Sequence, residues 1–307
     1  MTNLALTARP PVGPSARQAD LLLVAATVVW GVSFVIVKGA LAASSPLAFL
    51  ALRFAIATAA LAPFVDFRGR WSGAELRGGL LLTTLLATGF AAQAVGLQYT
   101  TPARSAFIVA LSSVLAPLVA FAVVRQRPRW WVAMAVAVAG MGIYLLTAPG
   151  GGGLNRGDVW TLITAFVFAG HIVAVSELSR RHDARRLVWL QLAGTTVGAT
   201  AAAALLESVR IEWSLTLVGA LVFTGVVATA LALVWQMRAQ RQMSSTRAAL
   251  LLCFEPVFAT VASWVWLGER LSTTQWIGAT LIVGGMILAE VPPAAHQAGL
   301  PETPNRP

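Results

Sequence analysis

Charged side chains are scarce in this sequence, at 11% of its 307 residues, while apolar residues make up 57%. Soluble globular proteins carry about a quarter of their residues as charged types. A chain so poor in charge cannot cover a water-facing surface, so we expect most of its surface to face hydrocarbon. The composition therefore excludes an ordinary soluble domain and indicates a membrane protein.

The residues of catalytic and metal chemistry are also few. The chain has one cysteine, Cys253, and three histidines. An internal disulfide is impossible, and neither a metal-ligand spacing nor a nucleotide-binding loop occurs. We therefore expect no metal and no cofactor, and an energy source other than ATP. A membrane-embedded enzyme would need a catalytic set such as paired acids, which the sequence does not supply.

Long apolar runs are what the sequence has instead. A helix needs about 20 mostly apolar residues to cross the roughly 30 Å hydrocarbon core. We predict an all-α membrane protein whose ten transmembrane helices form two five-helix repeats, at 20–149 and 156–291, between disordered cytoplasmic tails at 1–19 and 292–307. The ten predicted stretches are 21–38, 47–65, 78–98, 105–124, 130–148, 158–177, 187–206, 214–236, 248–267 and 273–290.

The basic residues predict the orientation. With the N-terminus inside, sixteen of the 22 Lys and Arg residues fall on the cytoplasmic side and five on the outer side, while Arg53 lies within the second stretch. Lys and Arg are enriched in cytoplasmic connections. We therefore expect a multi-pass plasma-membrane protein with both termini in the cytoplasm. The formal charge of +10 is explained by this topology and does not indicate nucleic-acid binding.

An internal repeat supports the same organisation. A shift of 142 residues lays 97–146 on 239–288, so that Gln98 meets Gln240 and Gly142 meets Gly284. Helix ends and polar connections coincide under the same shift. A five-helix unit that occurs twice must enter the membrane from opposite sides, which gives an inverted repeat of the kind found in transporters that alternate access.

Short motifs in this order resemble the EamA-type branch of the drug/metabolite transporter superfamily. They are Trp30-Gly31-Val32-Ser33-Phe34, Leu52-Arg53-Phe54, Gly96-Leu97-Gln98-Tyr99-Thr100, Glu255-Pro256-Val257, Leu267-Gly268-Glu269-Arg270, Gly278 and Gly284-Gly285. The first half departs from the pattern, with Gln126-Arg127-Pro128 where a second Gly-Glu would stand. The resemblance implies a ten-helix exporter of metabolites, amino acids or drugs, often proton-coupled. Its partners would be a small-molecule substrate and membrane lipids, and the class allows a homodimer.

Polar and aromatic residues at membrane depth are the candidates for substrate binding, since such groups are costly in hydrocarbon. At 1.5 Å per residue, Trp30 lies about 13 Å deep. The full set of substrate-binding candidates is Trp30, Ser33, Phe34, Gln93, Tyr99, His171 and Trp235. The alternative for each is packing: an indole in the helix core, a histidine bonded between helices, or Trp235 as an interfacial anchor.

Two deep charges and two prolines complete the candidate set. Glu255 is either a proton-coupling group or a structural group that caps the kinked backbone or pairs with Arg53 or His171. Arg53 is more often a structural group than a substrate contact, since a buried guanidinium usually needs a fixed acceptor. Pro117 and Pro256 remove a backbone donor from the fourth and ninth helices, so we expect kinks near the midplane.

Besides transport, the sequence leaves two other classes of function open: a membrane-embedded enzyme, and a passive channel or a membrane sensor without transport activity. A passive channel would show rings of filter residues or repeated charges, and none is visible. A flux assay separates the channel from a transporter, because only the transporter saturates and exchanges substrate.

Overall fold

The computed structural model describes residues 16–125, 130–147, 153–179, 181–240, 242–243 and 245–290. Within these residues the fold is all-helical, and the only β contact is an isolated bridge between Ser44 and Ile211. The predicted tails lie almost wholly outside the described residues, as does the Gln126-Arg127-Pro128 departure. The helices are α1 (Ala16–Ala43), α2 (Pro46–Leu61), α3 (Gly73–Tyr99), α4 (Pro102–Val124), α5 (Trp130–Thr147), α6 (Arg156–Ser179), α7 (Ala184–Leu206), α8 (Leu215–Val222), α9 (Ala232–Gln240), α10 (Ser245–Leu252), α11 (Glu255–Leu267) and α12 (Thr273–Glu290).

Nine helical segments of the described chain are long and apolar enough to cross a membrane. They are α1 to α7 and two composite spans, Leu215–Gln236 and Leu250–Leu267, here called the eighth and ninth spans. The tenth predicted stretch is a helix with the expected bounds, α12, but it is outside this set. Polar residues at both of its ends, Thr273-Thr274-Gln275 and Glu290, dilute its apolar content.

The eighth span is not a regular α-helix. Between α8 and α9, residues Phe223–Leu231 form a π-helical segment, in which backbone bonds reach one residue further than in an α-helix. The Thr229 hydroxyl follows the same spacing and donates to the Thr224 carbonyl at 2.7 Å, five residues back. The sequence pattern did not predict this segment, because its apolar residues repeat like those of any buried helix.

The ninth span is broken in two. A turn at Cys253–Phe254 separates α10 from α11, and Pro256 stands in the first turn of α11, where a missing backbone donor costs nothing. In contrast, α4 runs through Pro117 without a break in its helical residues. The two prolines therefore act differently, and the 142-residue shift lays Pro117 on Ala259, three residues beyond Pro256.

The two halves of the chain make the same pattern of neighbours. α3 packs along α6, and its counterpart, the eighth span, packs along α1. α4 packs on α6, and its counterpart α11 packs on α1. The pairs α2–α7, α4–α11 and α5–α12 each join corresponding helices of the two halves. The fold is thus built from two related halves that pack face to face.

Polar ties close one end of this bundle. Lys38, near the end of α1, donates to the carbonyl oxygens of Leu97, Gln98 and Thr100 at 2.5, 3.1 and 3.1 Å, and so caps the C-terminus of α3. Beside it, the buried side chains of Arg104 and Asp158 form an ion pair that joins α4 to α6. These ties hold four helices together at the end where α3 terminates.

Candidate functional site

A cavity of about 330 Å³ lies inside the bundle, between the two halves. Residues of α1 to α4 line it from the first half, and residues of α6, α7, the π segment, α9 and α11 line it from the second. Most of the lining is apolar or aromatic, with a few polar groups that converge on the space. Sites for small molecules usually have this composition.

The Trp30 motif of α1 forms one wall. Trp30, Ser33 and Phe34 all line the cavity. The Trp30 indole Nε1 donates to the Ala228 carbonyl of the π segment at 2.8 Å, while the Ser33 hydroxyl donates to the Trp30 carbonyl. The indole is therefore fixed in orientation by the opposite half of the chain. Its ring can present a rigid apolar face to a ligand.

Arg53 of α2 brings a positive charge to the cavity wall and is only 5% exposed. Its Nε and Nη2 atoms donate to the Thr229 hydroxyl at 3.2 and 3.1 Å, and its guanidinium lies 5.0 Å from the centre of the Phe90 ring. No ion pair of Arg53 is found among the described residues. The guanidinium is thus positioned by a hydroxyl and a ring, neither of which cancels its charge.

Glu255 brings a negative charge to the same cavity from the break in the ninth span. As the first residue of α11, it sits where the helix dipole favours an anion. Neither Arg53 nor His171 is recorded as its ion-pair or hydrogen-bond partner in the described part of the chain. The structure therefore shows neither the pairing of Glu255 with Arg53 nor the pairing with His171.

His171 and Gln93 supply the remaining predicted polar groups of the lining. His171 Nε2 and Gln191 Oε1 lie 2.7 Å apart, which joins α6 to α7. This is the interhelical hydrogen bond expected as an alternative for His171, yet both partners also face the cavity. The same side chain therefore serves packing and lines the site.

Two predicted substrate contacts lie elsewhere. Tyr99 is 49% exposed at the end of α3, where its ring centre lies 5.2 Å from the guanidinium carbon of Arg156. Trp235 of α9 lines a separate groove, between α2, α7 and the eighth span. Substrate binding by either residue stays a prediction, and the geometry gives it no support.

A second cavity of about 590 Å³ adjoins the first and shares Trp30, Ser112 and Glu255 with it. It extends past Pro117 and Pro256 to Glu177 and Glu290, near the C-terminal ends of α6 and α12. The opposite end of the bundle carries the Lys38 and Arg104 ties. The combined space therefore leads from the middle of the bundle to the end where α6 and α12 terminate.

Several residues of this site are not evident from the sequence alone. Thr229 and Ala228 lie in the π segment, while Phe90 and Phe168 were hidden among the apolar residues of their helices. Phe90 bridges Phe54 and Phe168, with ring centres 5.1 and 5.2 Å away.

Replacement of Trp30 by alanine should lower transport by at least roughly tenfold, the factor that about 1.4 kcal/mol corresponds to. The indole both lines the cavity and ties α1 to the π segment, so its loss removes a wall and a fixed contact. Uptake into proteoliposomes, normalised to the folded protein, measures the effect. Trp264→Ala is the matched control, since Trp264 is 58% exposed on α11. Normal transport by Trp30→Ala would make Trp30 a packing residue.

Comparisons with known proteins give a consistent result. The family model described as the EamA-like transporter family matches residues 17–148 and 155–290, once in each half. A protein of Archaeoglobus fulgidus named an uncharacterized transporter is 32% identical over 273 residues, which cover 89% of this chain and 86% of that protein. A second uncharacterized transporter of that organism is 23% identical, with coverage of 88% and 96%.

One solved structure, titled only as the crystal structure of a protein, superposes with a TM-score of 0.64. The two sequences are 20% identical, and the superposition covers 88% of this chain and 97% of the other. The similarity therefore supports the fold alone. The relatives' names indicate transport and give no substrate.

Proposed function

The chain belongs to the EamA-like transporter family and is a multi-pass membrane transporter, and on that premise we propose that it works as a secondary transporter by alternating access. We further propose that α12 is the tenth span, so that the halves are five-helix repeats of opposite orientation. The cavity carries this proposal. It lies between the halves, it is lined by both, and the adjoining cavity extends it to the end of the bundle where α6 and α12 terminate.

The lining indicates the class of substrate. A guanidinium at Arg53 and a carboxyl group at Glu255 face one mostly apolar space, and neither has an ion-pair partner among the described residues. A zwitterionic molecule with an apolar or aromatic body would satisfy both charges and the Trp30 and Phe34 walls. We therefore propose a small amino acid-like metabolite or drug-like molecule and disfavour polyanions.

The direction and the energy source belong to the same proposal. The sequence has no nucleotide-binding motif, so an ion gradient or the substrate gradient must supply the energy. Glu255 is the titratable carboxyl group of the cavity, placed where it can take up and release a proton during the cycle. We propose export from the cytoplasm, coupled to proton entry through Glu255.

Topology is the first point to check. In a Cys253→Ala background, Arg68→Cys and Arg181→Cys should react with an impermeant thiol reagent only from the cytoplasm, and Arg156→Cys only from outside. All three positions are exposed, so a failure to react cannot come from burial. The asymmetry of basic residues predicts this result. Labelling of position 181 from outside would contradict both the orientation and the inverted repeat.

Transport itself is tested with the purified chain in sealed vesicles. A thermal-shift screen against metabolites identifies a ligand, because a ligand that binds the folded state raises its apparent stability. Counterflow of that ligand in proteoliposomes should then saturate and exchange. Flux that never saturates would indicate a channel, conversion of the ligand in detergent would indicate an enzyme, and binding with no flux would indicate a sensor.

A further inference from the structure

A groove of about 830 Å³ lies on the bundle, apart from the cavity of the proposed site. The C-terminal end of α2, the N-terminal end of α7 and the eighth span surround it, and it shares no lining residue with that cavity. Its inner surface is apolar, with Leu61, Phe64, Leu231 and Val234 among its walls. A groove with apolar walls in a membrane protein accommodates an acyl chain.

Two arginines stand at the edge of this groove. Arg185 comes from the first turn of α7 and Arg238 from α9, so two separate helices each contribute one positive charge to the lining of the groove. Neither guanidinium has an ion pair or a hydrogen bond recorded with a described residue. The one carboxylate there, Asp183, caps α7 by accepting from the backbone N–H groups of Arg185 and Arg186 at 2.8 and 3.3 Å.

This combination fits one kind of ligand. Arginine binds phosphate oxygens through paired donors, and basic pockets between membrane helices bind anionic lipid headgroups. Trp235 lines the groove next to these charges, and tryptophan favours the boundary between headgroups and acyl chains. We propose that the groove binds an anionic phospholipid, with the phosphate between Arg185 and Arg238 and an acyl chain against the apolar walls.

The bound lipid would also support the proposed transport site. Val226, Ala230 and Leu231 of the π segment line the groove, while Ala228 and Thr229 of the same segment line the cavity. Thr229 holds Arg53, and Ala228 holds Trp30. An acyl chain in the groove would therefore pack against the π segment, which positions both Arg53 and Trp30. This consequence rests on the proposed function, whereas binding of the lipid does not.

The experiment compares lipids on the delipidated full chain. Native mass spectrometry and thermal unfolding are measured with phosphatidylglycerol and with phosphatidylcholine of the same acyl chains. The wild type should prefer phosphatidylglycerol by roughly tenfold or more. The double variant Arg185→Gln/Arg238→Gln should lose that preference, and Arg185→Lys/Arg238→Lys should keep most of it. Arg68→Gln/Arg77→Gln removes the same charge from exposed positions outside the groove and should bind like the wild type.

Each other outcome overturns the assignment. An unchanged preference in the Arg185→Gln/Arg238→Gln variant would place the lipid elsewhere. An equal loss in the Arg68→Gln/Arg77→Gln control would reduce the effect to net charge. Competition by soluble glycerol phosphate at the affinity of phosphatidylglycerol would indicate a phosphate site without a lipid. A Val234→Trp variant, which fills the apolar part and keeps both arginines, should also bind less; normal binding there would exclude the acyl chain from the groove.

Discussion

Gly142→Val should abolish accumulation of the folded protein, whereas Gly140→Val two residues earlier should be tolerated. A Cβ atom on Gly142 would lie 2.7 Å from the Gly278 carbonyl oxygen and 2.9 Å from the Ile282 backbone nitrogen. Both are backbone atoms of α12, so only separation of the helices can relieve the clash. We expect a cost above the roughly 1–3 kcal/mol that is typical of overpacking. Size-exclusion profiles and thermal unfolding in detergent measure it.

The control isolates packing from helix propensity. Gly140 is exposed on the same helix, and a Cβ atom there would meet nothing within 4 Å. The change in helix propensity from glycine to valine is the same at both positions. A difference in stability between the two variants therefore reports the α5–α12 contact alone. Equal behaviour of the two variants would show that α5 and α12 do not meet at Gly142, and would remove one of the pairings between the two halves.

Glu255→Gln should lose pH-dependent accumulation of substrate while it retains downhill exchange. Glutamine keeps the shape of the side chain but cannot titrate, so a coupling step that needs this proton stops. Its amide oxygen still accepts a hydrogen bond, so exchange continues with weaker binding of the substrate. Proteoliposomes with an imposed pH gradient measure accumulation, and counterflow without a gradient measures exchange. Glu255→Asp keeps a titratable group at the same place and should retain part of the coupling.

Two results would contradict the coupling role of Glu255. An accumulation profile across pH that matches the wild type would show that the coupling proton is carried elsewhere. A Glu255→Gln protein that cannot be extracted in folded, monodisperse form would instead show that the carboxyl group holds the break between α10 and α11. The Asp variant separates these cases, since a purely structural anion tolerates it with an unchanged pH profile.

Much of the fold follows from the lengths of the apolar runs in the sequence. Apolar runs of about 20 residues located the helices, because hydrocarbon thickness fixes their length. The α12 stretch has the predicted bounds as a helix, although its polar ends leave its membrane crossing to be proposed. The π segment could not be predicted, because it is a change of hydrogen-bond partner and not of composition. Nothing in Phe223–Leu231 separates it from a regular apolar helix.

The sequence predicts how deep the residues of the candidate site lie in the membrane, but not which way their side chains face. Depth follows from helical rise, and Trp30, His171 and Glu255, all predicted at membrane depth, line one cavity. Which face of the bundle a residue meets depends on helix rotation, which a single sequence of uniformly apolar helices barely encodes. Trp235 shows the limit: the sequence left it open between a cavity wall and an interfacial anchor, and the structure places it in the groove, after the π segment.

The irregular helices also bear on the energetics of the proposed cycle. Two identical halves that exchanged shapes would give inward-facing and outward-facing forms of equal free energy. Here the eighth span contains a π segment where its counterpart α3 is regular, and the ninth span is broken where α4 is continuous. The halves also differ in sequence there, since the 142-residue shift lays Pro117 on Ala259 and Pro256 on Val114, so these shapes cannot be exchanged without a change in free energy. In the proposed cycle the two forms therefore differ in free energy, and one is favoured at rest. A difference of about 1.4 kcal/mol would hold ten molecules in that form for each one in the other, before any substrate or proton gradient acts.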